Sequence, residues 1–436
     1  LNIKIKIITS SVQFGKLIKN HKLKNIKFVF KKKNFISSLN IFLKEILILK
    51  FNIFLCKIFL NKQKIQKKNI NLIDYFEFQK KGSLKKLFGS SLKKYNYKYY
   101  YVPSFVNFNI KNFIKFKNKK NFIIKENYLN FFDIFFVLKN LLFKKIILKR
   151  NFQKYNLNEL IKEEFNIDQN FRSILMAYVN YIFFRKLKLN NIKIENIISW
   201  HENQLVDKGW SFGIKNNYPR TKFFGYQAST LHPHFFNLCI TPEEVKAGVT
   251  PKNIILVGKK YKKNRSIFFK KINFNFIKDH RFKFEKNKLE KNYILFLLSG
   301  IKEIDEMLIS IFRYTKNLGY KNLKIKFHPI LKSNEMRENF KEEIDGNGSN
   351  IINFSKIVIT TSYTSGLYES LARNRDTIMI NTNPLDYMLF KNLKKYSKKL
   401  FYLDELNQIN LLIKKCLNQK IVTKDNKKIK NYSFNK

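Results

Sequence analysis

Over the second half of the chain, apolar positions gather into short solid runs separated by helix-patterned stretches. Ile357–Thr360 is one such run, a helix opens at Ser365, and Thr377–Ile380 is a second run. Two apolar runs joined through a helix predict a βαβ unit with parallel strands. Upstream, Tyr293–Leu298 predicts a strand, and a helix over about 303–317 follows, which Gly319 ends as its C′ residue. Leu323–Phe327 predicts the next strand and runs straight into His328-Pro329. A final helix is predicted over Tyr402–Leu417.

The same alternation occupies residues 194–258. Ile194–Trp200 and Lys222–Tyr226 read as strands with a helix over Gln204–Ile214 between them. Asn237–Ile240 and Ile254–Gly258 read as further short strands. Thr241-Pro-Glu-Glu predicts a helix start, with Thr241 as N-cap, Pro242 at the first helical position and Glu244 closing a capping box. Phe171–Leu187 carries apolar residues at helical spacing, and Leu1–Thr9 alternates like a strand. Elsewhere in residues 1–150, segments of Phe, Ile, Lys and Asn have almost no Gly or Pro to punctuate them. Alternating strands and helices predict an α/β protein with largely parallel sheets. The expected layout is two Rossmann-like domains facing a cleft: residues 1–262, a linker or returning segment over 263–292, and a second domain over 293–436.

Composition changes this picture little. Lys and Arg number 86 against 31 Asp and Glu, a formal charge of +55. The excess is mostly Lys, spread along the whole chain beside Asn, Ile, Phe and Tyr. These residues share A/T-rich codons, so a biased genome is a simpler cause than a nucleic-acid role, and no RNA-recognition motif is present. No specific nucleic-acid partner is expected. Cys56, Cys239 and Cys416 lie far apart, which fits a reducing compartment and no structural zinc. The first thirty residues lack a signal-peptide pattern, and the apolar stretches at 41–60 and 128–148 are broken by charge. A cytoplasmic location is expected, peripheral to the inner face of the plasma membrane. Basic amphipathic stretches such as Phe42–Lys62 suit an anionic membrane surface, and a core-facing helix with a Lys-rich outer face accounts for them too. Both tryptophans, three of six histidines and four of seven prolines fall between residues 200 and 251, marking a segment with specific structural demands.

Candidate chemistry lies at the predicted strand ends. Thr360, Thr361, Ser362, Thr364, Ser365 and Gly366 form a hydroxyl-rich loop at the mouth of a helix. A helix N-terminus offers unpaired N–H groups and a positive dipole end, and small residues let an anion approach it. His328 sits where a strand ends, at the edge that faces the ligand crevice of a doubly wound sheet. His328, Lys326 and the helix start would together suit a phosphate or diphosphate held by fixed donors, without a metal or other cofactor. Glu369 makes no capping box with Thr364 or Ser365, so it is available to accept hydrogen bonds, for example from ribose. An N-capped helix with a solvated Glu is the plainer alternative. Arg373 and Arg375 suit a carboxylated sugar or a solvated helix C-terminus.

In the first half, Trp200-His-Glu-Asn-Gln-Leu-Val-Asp207 ends one strand and opens a helix. Phe224-Gly-Tyr-Gln227 ends the next strand, and His232-Pro-His234 follows. The His232/His234 pair has no obvious third ligand, so no metal is expected.

The pairing of a His-Pro strand end with a Ser/Thr pair at a helix start resembles the C-terminal half of GT-B glycosyltransferases of bacterial surface polysaccharide synthesis. Bacterial sialyltransferases and capsule Kdo transferases have this pair, and teichoic-acid glycerophosphotransferases look similar, over roughly residues 293–420. The run from 195 to 262 resembles a family of bacterial surface carbohydrate biosynthesis proteins, with its Glu-Asn-Gln loop and Gly-Tyr-Gln strand end. The resemblance implies that His328, Thr364 and Ser365 hold the phosphates of a nucleotide-sugar donor. It also implies an acceptor, a glycan or lipid-linked glycan, on the side of Asn203, Gln204, Tyr226, Gln227 and His232. Glu202 and His201 are the candidate bases, with Asp207 behind them. The acidic pair followed by Gly that serves sialyltransferases is missing, and a helix-start carboxylate accounts for Glu202 equally well. A polyol-phosphate transferase and a non-catalytic Rossmann-like binding protein of capsule assembly are the alternatives.

Overall fold

A computed structural model describes residues 5–9, 26–30, 35–60, 69–77, 99–105, 121–143, 151–152, 155–156, 171–227, 238–277, 293–328, 342–344, 348–383, 385–419 and 426–434, with a few single positions between them. The first half holds β1 (Ile5–Thr9), β2 (Ile26–Phe30), α1 (Phe35–Phe59), β3 (Asn69–Glu77), β4 (Tyr99–Phe105), α2 (Phe131–Phe143), β5 (Asn151–Phe152), β6 (Tyr155–Asn156) and α3 (Phe171–Leu189). Then come β7 (Lys193–Trp200), α4 (Leu205–Asn217), β8 (Lys222–Gln227), α5 (Pro242–Ala247), β9 (Asn253–Leu256), α6 (Tyr261–Arg265) and β10 (Asn273–Phe276).

Six of these strands form one parallel sheet in the order β10-β9-β8-β7-β3-β4. Parallel neighbours need crossover connections, and α2, α3, α4 and α5 lie in those between β4 and β9. The sheet is buried on both faces. Leu72, Ile197 and Val102 pack under Phe183, Phe184 and Trp210, while Ile73, Ile254 and Leu256 join Tyr226 and Tyr261. At the start of α5, Thr241 Oγ1 accepts from Glu244 N and the Glu244 carboxylate accepts from Thr241 N, the capping box expected from the sequence.

Three expectations change. The segment beyond 262 is not simply a linker: α6 and β10 extend the first sheet as far as Phe276. Leu238–Ile240 forms no strand. The final helix predicted from Tyr402 is β15 (Leu400–Leu403) followed by a helix from Ile409.

The second sheet, order β12-β11-β13-β14-β15, is again all parallel. Its elements are β11 (Tyr293–Leu297), α7 (Lys302–Asn317), β12 (Leu323–Lys326), α8 (Gly348–Phe354), β13 (Ser355–Thr361), α9 (Ser365–Ala372), β14 (Asp376–Ile380), α10 (Asp386–Lys394), β15, α11 (Ile409–Leu417) and α12 (Lys427–Phe434). Phe296, Ile325, Ile359 and Ile378 of this sheet bury against Leu308 and Phe312 of α7 and Ile413 of α11. Gly319, at φ +89°, ends α7 as expected.

The two halves touch where the loop after β9 meets α9. Lys260 Nζ lies 3.1 Å from the centroid of the Tyr368 ring and 3.4 Å from Ser433 Oγ. That contact sets the C-terminal end of the first sheet beside the helix that carries the hydroxyl loop.

Candidate functional site

Each sheet has a place where successive connections leave in opposite directions, and ligand crevices of open α/β sheets form there. In the second sheet it lies between β11 and β13, because β12 adds on one side of β11 and β13 on the other. Three strand ends converge there: Ser299-Gly300 after β11, His328 after β12, and Thr361–Thr364 after β13.

The Ser299-Gly300 turn is fixed by Asp305 in the first turn of α7. One carboxylate oxygen accepts from Ser299 N (2.6 Å) and Ser299 Oγ (2.8 Å), and the other from Gly300 N (2.9 Å). Gly300 has φ +90°, and a Cβ there would lie 2.7 Å from His328 Nδ1. Only glycine permits both that backbone and that approach. The imidazole therefore rests on bare backbone. Burial holds its pKa below the ordinary histidine value, with Asp305 pulling weakly the other way. A neutral ring offers one N–H donor and one acceptor rather than a charge.

The hydroxyl loop is built differently. Thr361 Oγ1 accepts from Tyr363 N at 3.4 Å, and Thr364 caps α9 by accepting from Gly366 N at 3.1 Å. Ser362 Oγ is buried without a hydrogen-bond partner among the described residues. A Cβ on Gly366 would meet Leu297 Cδ1 at 2.5 Å, so the first turn of α9 lies directly on the end of β11. Asn383 Nδ2 donates to the Tyr363 hydroxyl at 3.1 Å, and Asp386 accepts from Thr382 N and Thr382 Oγ1 at 2.9 and 2.6 Å. No acidic residue stands in the first turn of α9, whereas Asp207, Asp305 and Asp386 stand in the first turns of α4, α7 and α10.

Glu369 does not face this crevice. It is buried and accepts from Arg373 Nη2 at 2.9 Å and Arg373 Nε at 3.1 Å. Arg373 also donates to Asn353 Oδ1, and Arg375 Nη2 donates to the Asn353 carbonyl at 3.0 Å. Glu369, expected near ribose, and Arg373 and Arg375, read as holding a carboxylated sugar or as a solvated helix C-terminus, lie instead in a buried network. The sequence missed it because an i,i+4 Glu–Arg pair reads as a surface feature unless the helix is known to be covered on all sides.

In the first sheet, the reversal lies between β3 and β7. Asp207 ties the loop after β7, accepting from Glu202 N (2.8 Å) and Gln204 N (3.0 Å). Burial pushes its carboxyl up to about 7. His201 is fully buried, with Nε2 3.2 Å from Thr250 Oγ1, and burial drives its pKa down to about 3. A ring enclosed in this way is part of the core and is not presented to an acceptor. Glu202 is half-buried and receives a hydrogen bond from Gln204 Nε2 at 3.1 Å. Asn203, at φ +57°, donates to Glu244 Oε1 at 3.2 Å and to the Cys239 carbonyl at 3.3 Å. Glu244 also pairs with Lys208. Tyr226 is buried against Trp200, and Gln227 is buried with its amide donating to the Leu238 carbonyl at 3.1 Å. These two residues hold the loop together and do not line an acceptor surface. His232 and His234 lie outside the described residues.

Sequence reasoning missed a charged cluster at the same reversal. Buried Asp74 of β3 accepts from Ser104 Oγ at 2.8 Å, and burial raises its carboxyl to about 6 against the lowering pull of Lys125. Lys125 Nζ, also buried, donates to Asn180 Oδ1 at 2.8 Å. The signal was faint because Asp74 stands among Leu72, Ile73, Tyr75 and Phe76 inside a strand. Among the described residues no group of three or more His, Cys, Asp or Glu side chains could hold a metal ion.

No family model matches the chain. Over 133 residues, 28% of the chain, it is 30% identical to an uncharacterized protein of Borreliella burgdorferi, and that stretch spans only 13% of the relative's length. Among solved structures, the chain is similar to UGT2 of Phytolacca americana complexed with UDP-2fluoro-glucose and pterostilbene (11% identity, TM-score 0.49, covering 84% of this chain and 94% of the other). It is also similar to MurG of Acinetobacter baumannii (8% identity, TM-score 0.44, covering 84% and 95%) and to a UDP complex of MnaA from S. aureus (10% identity, TM-score 0.44, covering 84% and 92%).

Proposed function

We propose that the chain is a GT-B-type glycosyltransferase that moves a sugar from a nucleotide donor to a surface glycan or lipid-linked glycan. The observation that carries this reading is the second-sheet crevice. An acid-free helix start, a buried Ser362 hydroxyl with no hydrogen-bond partner among the described residues, and the His328 ring converge where a doubly wound sheet binds ligands. Donor phosphates would take N–H groups of the α9 first turn, the Ser362, Thr364 and Ser365 hydroxyls and an N–H of neutral His328. As the bond from the anomeric carbon to the phosphate oxygen breaks, charge gathers on that oxygen and these fixed donors meet it. The same donors would let the reaction proceed without a metal.

The acceptor hydroxyl would attack the anomeric carbon and give its proton to a base of the first half. With His201 enclosed, Glu202 is the base we assign, at the loop that closes the other sheet reversal. Buried Glu369, Arg373 and Arg375 would support the helix and leave the sugar to others. A CMP-activated acidic sugar is the first donor to try, and the expected workplace is the cytoplasmic face of the plasma membrane.

A panel of CMP-, UDP- and GDP-sugars, measured by calorimetry with the wild type, His328→Ala and Thr364→Ala/Ser365→Ala, tests the proposal. Binding of at least one donor, weakened about tenfold or more in both variants, is expected. If no nucleotide binds, or if both variants bind as the wild type does, the reading fails. Glu202→Gln should keep donor binding and lose transfer. Unaltered turnover would remove Glu202 as the base.

A further inference from the structure

We infer that α1 and α2 together form a docking surface for an anionic lipid bilayer. The inference is independent of the reading of the crevice. The two helices share one core: Ile46, Leu49 and Ile53 of α1 bury beside Ile134 and Val137 of α2. Their other faces are exposed and still apolar. On α1, Leu43, Leu47, Phe51, Phe54 and Ile58 are exposed, at spacings of four, four, three and four residues. That spacing lines them up as a single stripe, about 22 Å long at 1.5 Å per residue. On α2, Phe131, Phe132, Phe135 and Phe136 are exposed, Phe132 by 83% and Phe135 by 70%. The two faces meet at Lys57, whose Nζ lies 4.8 Å from the Phe131 ring centroid.

Charge identifies the occupant. At 100° per residue, Lys44 borders one side of the α1 stripe, and Lys50 and Lys57 border the other. All three are exposed, as is Lys139 of α2. Each helix has a single acid, and both acids are engaged inward: Glu45 with Arg172 at 3.6 Å and Asp133 with Lys186 at 3.1 Å. The outward face is therefore apolar with a purely cationic border. A second copy of the chain would bring lysines against lysines across the contact. A bilayer with anionic headgroups takes the apolar stripe into its interface and the lysines at headgroup level. Lys44, Lys50 and Lys57 interrupt the apolar run of α1, and among the described residues no helix is long and apolar enough to cross a membrane. The geometry is that of a helix pair lying on the surface.

Sedimentation of the full chain with vesicles tests this. Vesicles with roughly one-third phosphatidylglycerol should carry the protein down, while pure phosphatidylcholine vesicles should do so about tenfold less. Raising salt from about 0.1 to 0.5 M should weaken the anionic binding. Phe132→Glu/Phe135→Glu and, separately, Leu47→Glu/Phe54→Glu should each weaken it by about tenfold or more. Both variants should keep the wild-type circular dichroism spectrum. If one fails to fold, Lys50→Gln/Lys57→Gln replaces it and should lower anionic binding alone. No sedimentation with either vesicle, or equal sedimentation with both, overturns the proposal. So does a concentration-dependent dimer that the Glu substitutions dissolve while vesicle binding stays unchanged.

Discussion

Replacing Glu369 with leucine separates two readings of the helix that carries the hydroxyl loop. As a ribose ligand, Glu369 would matter to donor affinity and little to stability. The structure instead buries its carboxylate against the Arg373 guanidinium, with contacts of 2.9 and 3.1 Å and both side chains almost fully covered. At 2.9 Å and an effective dielectric constant of about 20, the gross attraction is about 6 kcal/mol, much of it offset by the desolvation of both ions. Removing one partner leaves the other buried and uncompensated, which costs about 3–5 kcal/mol. Glu369→Leu should therefore lower unfolding free energy by that amount in urea titrations followed by tryptophan fluorescence and circular dichroism. Glu369→Leu/Arg373→Leu should recover most of the loss, because an apolar pair of similar size leaves no lone charge. Below the unfolding transition, Glu369→Gln should bind whatever nucleotide the wild type binds with an affinity within about threefold. A loss under about 1 kcal/mol in Glu369→Leu, or a large affinity loss in folded Glu369→Gln, would refute the buried-pair assignment.

The enclosed histidine predicts a pH effect with a definite sign. His201 has a folded pKa of about 3 against an ordinary 6.5, so the unfolded chain takes up a proton first and stability falls as pH drops below 6.5. Between pH 7 and pH 5 the loss from this residue should be about 2 kcal/mol, and His201→Leu should flatten that part of the profile in urea melts. Gly300→Ala should cost about 1–3 kcal/mol from its positive φ and should push the His328 ring aside, which a changed His328 resonance in proton NMR would report. Thr364→Ala should cost about 1 kcal/mol by removing the cap of α9, and Thr364→Ser should restore it. Thermal melts of the three chains decide this.

Much of the fold was legible because its period and punctuation agree. Solid runs such as Tyr293–Leu297 and Ile357–Thr361 belong to strands covered on both faces, and Thr241, Pro242, Glu244 and Gly319 mark helix ends by their own chemistry. The first 150 residues resisted for the opposite reason. α1 is apolar on its outward face as well as its inward one, so it offers no contrast for a periodicity to reveal. β10 was hidden because its inward residues, Phe274 and Phe276, alternate with Asn in a region rich in Lys and Asn. The His328 strand end and the hydroxyl loop could be placed at neighbouring strand ends from residue type and position. The roles of Glu369, His201 and Gln227 could not, because an exposed polar group and a buried, bonded one look alike in a sequence. Burial alone decides between them.

The loops also explain why the crevice falls where it does. After β7, β11 and β14, an aspartate from the first turn of the next helix accepts backbone N–H groups of the preceding turn. Each of those helix starts already has its negative charge supplied from within the chain, which stiffens the loop and leaves little field for an outside anion. After β13 the carboxylate is replaced by neutral Thr364, so the positive end of α9 is uncompensated. The aspartate loops after β11 and β14 brace it on either side, through the Gly300 backbone under His328 and the bond from Asn383 to Tyr363. On the proposed reading, a rigid frame around this uncharged helix start would favour an anion there over the flanking ends of β11 and β14. Placing an acid there tests this. Ser365→Asp should supply the missing carboxylate from within, leave α9 as stable or slightly more so, and lower nucleotide affinity by about tenfold or more through like-charge repulsion. Calorimetry that finds the affinity unchanged would move the anion site elsewhere.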